Sequence, residues 1–402
     1  MRRGTALARV ASSRRRSRAV DHTHTVVDTR CVCCGGVVGT KAKSGPTRSR
    51  MHRAPGASLA LVLMHASMGG ACSARSSLQS TFAGTPRLGL GLAALGRPGY
   101  INLGHADDLP SERSVEQMRQ HAFTVLDEAI KLGLRYIDCA RSYGLSEEFV
   151  SSWIAARTSM PDMIVGSKWG YEYTAEWRVH VGEGEAHEVK RHTPEQFNRQ
   201  LGETKALLPY ISLYQIHSAT MESGVLSNDG VLDALAELRD QGVAVGASVS
   251  HPQVPTIEAA TRVERKGAPL FASLQATFNL LDQSSGPALQ AAAEAGVFVI
   301  VKEALANGRL TARAAASPGL ALLCQEAEVL GTTPDALALA WVLTHPWVGM
   351  CLSGASTPEQ LQSNADALRL VPLDPELHNR LASALCQPAE EYWGARKALQ
   401  WN

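Results

Sequence analysis

The sequence predicts a single (β/α)8 barrel of the TIM class, an α/β fold, preceded by a disordered N-terminal leader. After residue 85, short apolar runs alternate with longer amphipathic stretches, which is typical of parallel βα units. An open doubly wound sheet would favour a GxGxxG turn leading into a helix, and GLGLAALG does not lead directly into one. The 402 residues are 45% hydrophobic and 19% charged, which is enough apolar material for a sizeable core.

Eight apolar runs predict the strands of this barrel. In chain order they are Leu88–Leu92, Arg135–Asp138, Met163–Lys168, Ile211–His217, Val243–Ser248, Ala272–Thr277, Val297–Lys302 and Val348–Ser353. Amphipathic stretches between them predict helices, among them Val115–Leu132, Pro194–Leu207, Val231–Gln241 and Asp335–Thr344. Thr193 and Gln196 form a capping-box pattern at the start of the second of these helices, and Pro334 precedes the last. Eight strands with interleaved helices favour a closed barrel over an open sheet.

Residues 1–84 form the predicted leader and residues 85–402 the predicted barrel domain. The first 20 residues are rich in Arg, Ser and Ala and poor in acids, as in a targeting presequence. A second interpretation starts at Met51, where a basic start, an apolar run and small residues have the layout of a secretory signal. A third is an untargeted extension. We expect a transit peptide for a plastid or mitochondrion, with a cytoplasmic location as the alternative.

The charges are distributed unevenly along the chain. Residues 1–106 hold 16 of the 39 basic residues and two of the 38 acidic ones, which leaves 23 basic and 36 acidic residues in the body. An acidic body argues against nucleic acid as the main partner, because phosphate binding depends on clustered Lys and Arg. No stretch has the roughly 18 to 20 apolar residues of a membrane span. We therefore expect neither nucleic acid nor a membrane span.

Polar residues end three consecutive predicted strands. RYIDCARSYG places Asp138 at the tip of the second strand and Tyr143 just beyond it. Lys168 ends the third strand, and His217 ends the fourth. Because catalytic groups of such barrels lie at the carboxyl ends of the strands, these four side chains are expected at one mouth.

In the order and positions of these four residues the sequence resembles the aldo-keto reductase superfamily. That family places an Asp, a Tyr five residues later, a Lys ending the next strand and a His ending the one after. The resemblance spans Pro86 to Leu385 and includes QATFNLLD at the sixth strand, VKEALANG at the seventh and SGASTPEQLQSN at the eighth. It implies a barrel enzyme that uses a nicotinamide cofactor.

The chemistry of carbonyl reduction suits this tetrad. The reaction needs a hydride at carbon and a proton at oxygen, and a free phenol with a pKa near 10 is a reluctant donor at neutral pH. We expect the Lys168 ammonium to lower the pKa of Tyr143, and Asp138 to hold that ammonium by a charged hydrogen bond. His217 is expected to orient the substrate oxygen. Tyr143 is then the general acid and base.

The resemblance also implies cofactor contacts, with NADP(H) favoured over NAD(H). SGASTPEQLQSN opens a helix at Pro358, so unpaired backbone N–H groups from Gly354 to Ser356 are expected to meet a phosphate. Ser248 and Gln275 match the residues that bind the nicotinamide carboxamide. The full implied set is Ser248, Gln275, Lys302, Leu305, Gly354, Ala355, Ser356, Gln360 and Asn364.

Three positions depart from the family pattern. Val249 follows the carboxamide serine where many members have Asn. Lys302 stands where many members place an aromatic ring against the nicotinamide, and its alkyl stem could cover that ring instead. Gln360 replaces an Arg of some NADPH-specific members, which weakens the preference for a 2′-phosphate.

A long loop is predicted over Trp169–His192, between the third strand and its helix. Long loops at a barrel mouth usually shape the substrate pocket. Zinc binding by His180, His187 and His192 is an alternative, but solvated loop histidines are favoured over it. No metal site is expected.

The sequence thus predicts an NAD(P)(H)-dependent oxidoreductase that interconverts aldehydes or ketones, sugars among them, and alcohols. The alternative is a nucleotide-binding regulatory or interaction protein that keeps the barrel and has little turnover. An intact tetrad favours the enzyme. The oligomeric state and the physiological substrate are not predicted.

Overall fold

Eight parallel strands close into a barrel, as the sequence predicts. The computed structural model describes residues 74–314 and 318–402. The barrel strands are β1 (Leu88–Gly91), β2 (Tyr136–Asp138), β3 (Ile164–Trp169), β4 (Leu213–Ala219), β5 (Ala244–Val249), β6 (Ser273–Thr277), β7 (Phe298–Lys302) and β8 (Met350–Ser353). Each strand pairs with its neighbours in sequence, and β8 closes the barrel on β1.

Helices surround the barrel. They are α1 (Ala74–Thr81), α2 (His105–Asp108), α3 (Val115–Lys131), α4 (Ser146–Ala155), α5 (Pro194–Leu207), α6 (Asp229–Asp240), α7 (Gln253–Arg262), α8 (Gly286–Glu294), α9 (Pro318–Val329), α10 (Pro334–Thr344), α11 (Pro358–Ala365), α12 (Ala367–Leu370), α13 (Pro375–Leu385) and α14 (Ala389–Lys397). Short 3-10 turns occur at Met221–Ser223, Val225–Ser227 and Ala306–Gly308. No helix in the described residues is long and apolar enough to cross a membrane.

The local signals explain these bounds. The Thr193 hydroxyl accepts a hydrogen bond from the Gln196 N–H, so α5 starts at Pro194 as predicted. The strand bounds differ from the predicted ones by up to two residues, mostly at the amino ends, where the predicted run begins before the first ladder pair. The strands are buried on both faces, as expected when helices cover a parallel sheet.

Helix α1 lies within the predicted leader of residues 1–84 and packs against the barrel. Leu78 and Phe82, four residues apart on one helical face, are buried at the amino ends of the strands. The ring of Phe82 stacks on Phe298 at 4.5 Å and meets the edge of Tyr136 at 5.2 Å. Two apolar side chains are too few to give a periodic signal in the sequence. The targeting segments proposed from the sequence fall mainly in residues 1–73, outside the described part of the chain.

The predicted loop over residues 169–192 contains an antiparallel hairpin. Tyr171–Tyr173 pairs with Glu188–Lys190, and we call residues 171–190 the mouth hairpin. A second two-stranded hairpin joins Glu264–Arg265 to Ala268–Pro269 on the outside of the barrel. The mouth hairpin brings charged and aromatic side chains to the carboxyl ends of the strands.

Candidate active site

A cavity of about 680 Å³ opens at the carboxyl ends of the barrel strands. Residues that end β1, β2, β7 and β8 line it, together with the loops that follow them. Except for Lys168 and Ser248, all of the residues predicted for catalysis and cofactor binding line this cavity. The strand ends therefore converge as the barrel topology requires.

Asp138 and Lys168 form a fully buried ion pair at the base of the cavity. The Lys168 Nζ donates to Asp138 Oδ2 and, at 2.8 Å, to the carbonyl of Cys139. The other carboxylate oxygen, Oδ1, accepts from Gln275 Nε2 at 2.9 Å and from the Tyr136 hydroxyl at 3.1 Å. Because a buried charge is costly unless it is paired and hydrogen-bonded, these contacts hold both side chains in place.

Tyr143 lines the cavity beside this ion pair. The Lys168 Nζ is 4.6 Å from the centroid of its ring, and the His217 ring meets it edge-on at 5.4 Å. Burial, followed by the negative charge of Asp138, raises the pKa of the Tyr143 phenol well above 10. Burial and Asp138 therefore outweigh the lowering of this pKa that is expected from Lys168, and the net shift is upward. Asp138 lies against the Lys168 ammonium and cancels much of its field.

His217 presents a neutral imidazole to the cavity. Its Nδ1 is hydrogen-bonded to Ser142 Oγ at 3.2 Å, which leaves Nε2 as the ring nitrogen available to a ligand. Burial, and then the positive charges of Lys168 and Lys302, lowers the pKa of His217 well below 6.5. His192 Nε2 donates to the His217 carbonyl at 2.9 Å and so supports the end of β4. A neutral His217 can donate to or accept from a substrate oxygen without adding charge.

Paired positions on β5 and β6 carry two polar side-chain atoms without a partner. Ser248 and Gln275 are register partners in the sheet, and both are buried. Among the described residues, the Ser248 Oγ and the Gln275 Oε1 find no hydrogen-bond partner. Buried polar atoms are rarely left unpaired, so this pair is a candidate ligand contact. One hydroxyl and one amide oxygen match the acceptor and donor of a carboxamide.

The segment from Gly354 to Ser356 differs from its predicted state. The Ala355 N–H donates to Ser353 Oγ at 3.2 Å, and the Ser356 N–H donates to Gln360 Oε1 at 2.8 Å. The prediction that these N–H groups are unpaired is therefore wrong for two of the three residues. The physical reason is that Gln360, the third residue of α11, reaches back to the start of its own helix, and that the Ser353 hydroxyl accepts from the N–H two residues later.

Asn364 lies on α11 and lines the same cavity as Tyr143. The side chain of Asn364 donates to Asp335 at 2.7 Å and accepts from Ser353 Oγ at 2.7 Å. It is therefore held by protein groups on both sides. Gln360 supplies no positive charge to this part of the wall.

Lys302 and Glu303 belong to a cluster of charged side chains that the sequence analysis did not predict. The Lys302 Nζ donates to Thr277 Oγ1 at 3.0 Å, and burial lowers its pKa to about 8 against the opposing charge of Glu303. Burial alone would raise the pKa of Glu303, but Arg396 and Lys302 outweigh it and lower that pKa to about 2. Arg396 Nε donates to Glu303 at 2.8 Å, so the ion pair ties α14 to the loop after β7, where Leu305 lies.

Arg97, Glu188 and Trp401 are further cavity residues that sequence reasoning missed. Arg97 follows β1, Glu188 belongs to the mouth hairpin, and Trp401 follows α14. They are far apart in the sequence, so no local pattern relates them. Trp401 stacks on His187 at 3.7 Å, which gives that hairpin histidine a partner other than a metal. In the described part of the chain no group of three His, Cys, Asp or Glu side chains is placed to hold a metal ion.

The chain resembles known proteins in sequence and in fold. A sequence profile of the Aldo/keto reductase family matches residues 87–385. The chain is 26% identical over 271 residues to the uncharacterized oxidoreductase YqkF of Bacillus subtilis, covering 62% of this chain and 82% of that protein. It is 23% identical over 322 residues to L-glyceraldehyde 3-phosphate reductase of Escherichia coli, covering 70% and 85% of the two chains. A solved aldo-keto reductase of Bacillus halodurans, in its holo form, has a TM-score of 0.56 at 24% identity and covers 74% of this chain and 91% of its own.

Proposed function

Since the chain belongs to the aldo/keto reductase family, whose members are NAD(P)H-dependent oxidoreductases of carbonyls and alcohols, we propose that Tyr143 is the general acid and base of its reaction. In this proposal an aldehyde or ketone, a sugar among the candidates, is interconverted with its alcohol. Asp138, Lys168 and His217 complete the catalytic group.

One observation carries the proposal. A phenol and a neutral imidazole, 5.4 Å apart between ring centroids, line the same cavity directly above a buried ammonium and carboxylate pair. A structural role for the ion pair would not require an ionisable phenol and an imidazole at its open side. Titratable groups with strongly shifted pKa values in one cavity favour catalysis.

In the proposed reduction each side chain has a separate role. A nicotinamide cofactor, when bound, would supply the hydride. Tyr143 gives its phenolic proton to the carbonyl oxygen as that oxygen gains negative charge, because an alkoxide is a stronger base than a phenolate. Tyr143 is protonated at neutral pH, so the donor form is filled, and its raised pKa makes it a weaker acid than a free phenol. His217 holds the same oxygen through Nε2, and its neutral state keeps it from competing as the acid.

The cavity wall fits a nicotinamide cofactor. Gln275, which lines the cavity, and the buried Ser248 beside it would hold the carboxamide through their unpartnered oxygens, and Lys302 would contact the cofactor from the same wall. Leu305, residues 354–356, Gln360 and Asn364 would line the remainder. We propose NADP(H) over NAD(H) on the family resemblance, although Gln360 offers no charge to a 2′-phosphate. Binding titrations with both dinucleotides decide this preference.

The proposal is tested with a panel of aldehydes, ketones, sugars and alcohols and both nicotinamide cofactors. Sustained turnover, followed by the cofactor absorbance, supports the enzyme. Bound nucleotide with a single turnover per chain would instead support the regulatory alternative. If neither dinucleotide binds, the assignment of the cavity is wrong.

We also propose that the basic N-terminal region directs import into an organelle. Its composition alone supports this. A fluorescent fusion carrying residues 1–84 should localise to a plastid or mitochondrion, whereas a diffuse cytoplasmic signal would argue for the alternative.

A further inference from the structure

Arg97 is held against the segment that carries Tyr143. A Cβ added at Gly96 would lie 2.1 Å from the Tyr143 carbonyl oxygen, so only glycine allows the loop after β1 to pack this closely. The next residue, Arg97, is 2% exposed and donates through Nη1 to the carbonyl of Ser142 at 3.0 Å. Its Nε donates to the carbonyl of Ala93 at 3.1 Å, which fixes the plane of the guanidinium.

The guanidinium is surrounded by aromatic rings in the wall of the cavity. Its Cζ lies 5.4 Å from the ring centroid of Tyr143, 4.8 Å from Tyr100 and 4.7 Å from Trp401. The packing leaves the side chain little freedom to move away. A fixed positive charge therefore lies beside the tyrosine.

Two cations adjoin Tyr143, and their charges are compensated differently. Lys168 is paired with Asp138, and both side chains are almost fully buried, so the two opposite charges cancel at close range. Arg97 is paired with Glu188 at 3.1 Å, but Glu188 is 28% exposed. Water screens a partly exposed carboxylate more than a buried one. The positive charge of Arg97 is therefore less compensated at Tyr143 than the charge of Lys168 is.

The charged and titratable groups that face Tyr143 come from every element around it. They are Arg97 after β1, Asp138 on β2, Lys168 on β3, Glu188 on the mouth hairpin, His217 on β4, Glu303 after β7, and the phenols of Tyr100 and Tyr136. Burial and Asp138 raise the pKa of Tyr143, whereas Arg97 lowers it and Glu188 and Glu303 raise it.

We propose that Arg97 is a positioning residue of the reaction, whose guanidinium stabilises the negative charge on the Tyr143 oxygen when that oxygen has lost its proton. The inference rests on the proposed role of Tyr143. In alcohol oxidation the substrate O–H proton passes to the Tyr143 phenolate oxygen, while the C–H bond breaks and its electron pair leaves with the hydride to the oxidised nicotinamide. Arg97 favours the phenolate that starts this step, and Glu188 opposes it.

Two substitutions of opposite sign test the inference. In Arg97→Gln the rise of the alcohol oxidation rate with pH should move to higher pH by about two units, the size expected for one charge at this distance near a surface. In Glu188→Gln it should move to lower pH, without disturbing the contacts of Arg97 with backbone carbonyls. Arg97→Lys, which keeps the charge, should lie closer to wild type than Arg97→Gln.

The matched control is Glu172→Gln, the same carboxyl-to-amide change on the mouth hairpin, at a residue paired with Arg191 outside the cavity. It should leave the pH profile in place. Shifts of the same sign in Arg97→Gln and Glu188→Gln, or no shift in either, would overturn the inference.

A second measurement does not depend on turnover. NMR of isotope-labelled tyrosine, with the Tyr143 signal assigned from Tyr143→Phe, gives the titration of this phenol directly. Its midpoint should be higher in Arg97→Gln than in wild type and lower in Glu188→Gln. If these shifts are found in a protein that shows no turnover, the proposed function fails, while the stabilisation of the Tyr143 phenolate by Arg97 stands. If the midpoints are unchanged in an active enzyme, the role of Arg97 fails and the proposed function stands.

Discussion

The Lys168 ammonium and the Asp138 carboxylate form an ion pair whose side chains are 0% and 2% exposed. The two side chains differ in the hydrogen bonds that remain when the partner is removed. Without Lys168, Asp138 still accepts from Gln275 and Tyr136. Without Asp138, Lys168 keeps a single hydrogen bond within the described residues, to the carbonyl of Cys139.

Asp138→Asn should therefore destabilise the fold more than Lys168→Met. Leaving a buried charge without its partner costs about 3–5 kcal/mol, whereas a carboxylate that keeps two donors should lose roughly 1–3 kcal/mol. Denaturant unfolding of both variants at pH 7 measures this order. A larger loss in Lys168→Met would show that the remaining donors do not compensate Asp138.

Tyr143→Phe should lower kcat by at least about 100-fold, because it removes the proposed proton donor and preserves the ring. The dissociation constant of the cofactor should hardly change. Tyr173→Phe, the same change on the mouth hairpin outside the cavity, is the control. Near-normal turnover in Tyr143→Phe would remove this residue from the chemistry.

The sequence predicted the strands, and the meeting of Asp138, Tyr143 and His217 at one cavity, because both depend on local information. An apolar run marks a buried strand, and a polar residue at its end then lies at the mouth through topology alone. Arg97 was missed because its surroundings come from segments around residues 93, 142, 188 and 401. The pairing of Ser356 with Gln360 was missed because a side-chain rotamer decides it.

Leu78→Ala should destabilise the barrel by about 2–4 kcal/mol, the usual cost of a buried Leu to Ala change. Leu78 is 1% exposed and lies at the amino ends of the strands, so kcat should stay near that of wild type. A chain beginning at Phe82 lacks Leu78 and should be destabilised at least as much. Leu330→Ala, at an exposed leucine, is the control. Equal stability of the two variants would mean that α1 contributes little.

His105 should make the protein less stable in mild acid. Burial lowers its pKa to about 4, whereas an unfolded chain takes up this proton near pH 6.5. The unfolded state therefore binds more protons between these two values, and stability falls as the pH falls through that window and levels off below it.

His105→Gln should reduce the stability difference between pH 7 and pH 4.5 by about 2–3 kcal/mol. Urea unfolding at the two pH values measures it, and His180→Gln, at an exposed histidine, is the control. If the difference is as large in His105→Gln as in wild type, His105 is protonated in the folded protein.

Helix α1 closes the barrel at one end, while every residue of the candidate site lies at the other. This separation has a consequence for how the enzyme can be altered. Changes to the mouth hairpin or the loop after β7 that broaden the range of substrates will often reduce stability. Repacking around Leu78 and Phe82 can restore that stability without contact with the chemistry. Laboratory selection for new activities should therefore begin from a variant with improved packing at the amino ends of the strands. Such a variant tolerates more destabilising substitutions around the cavity.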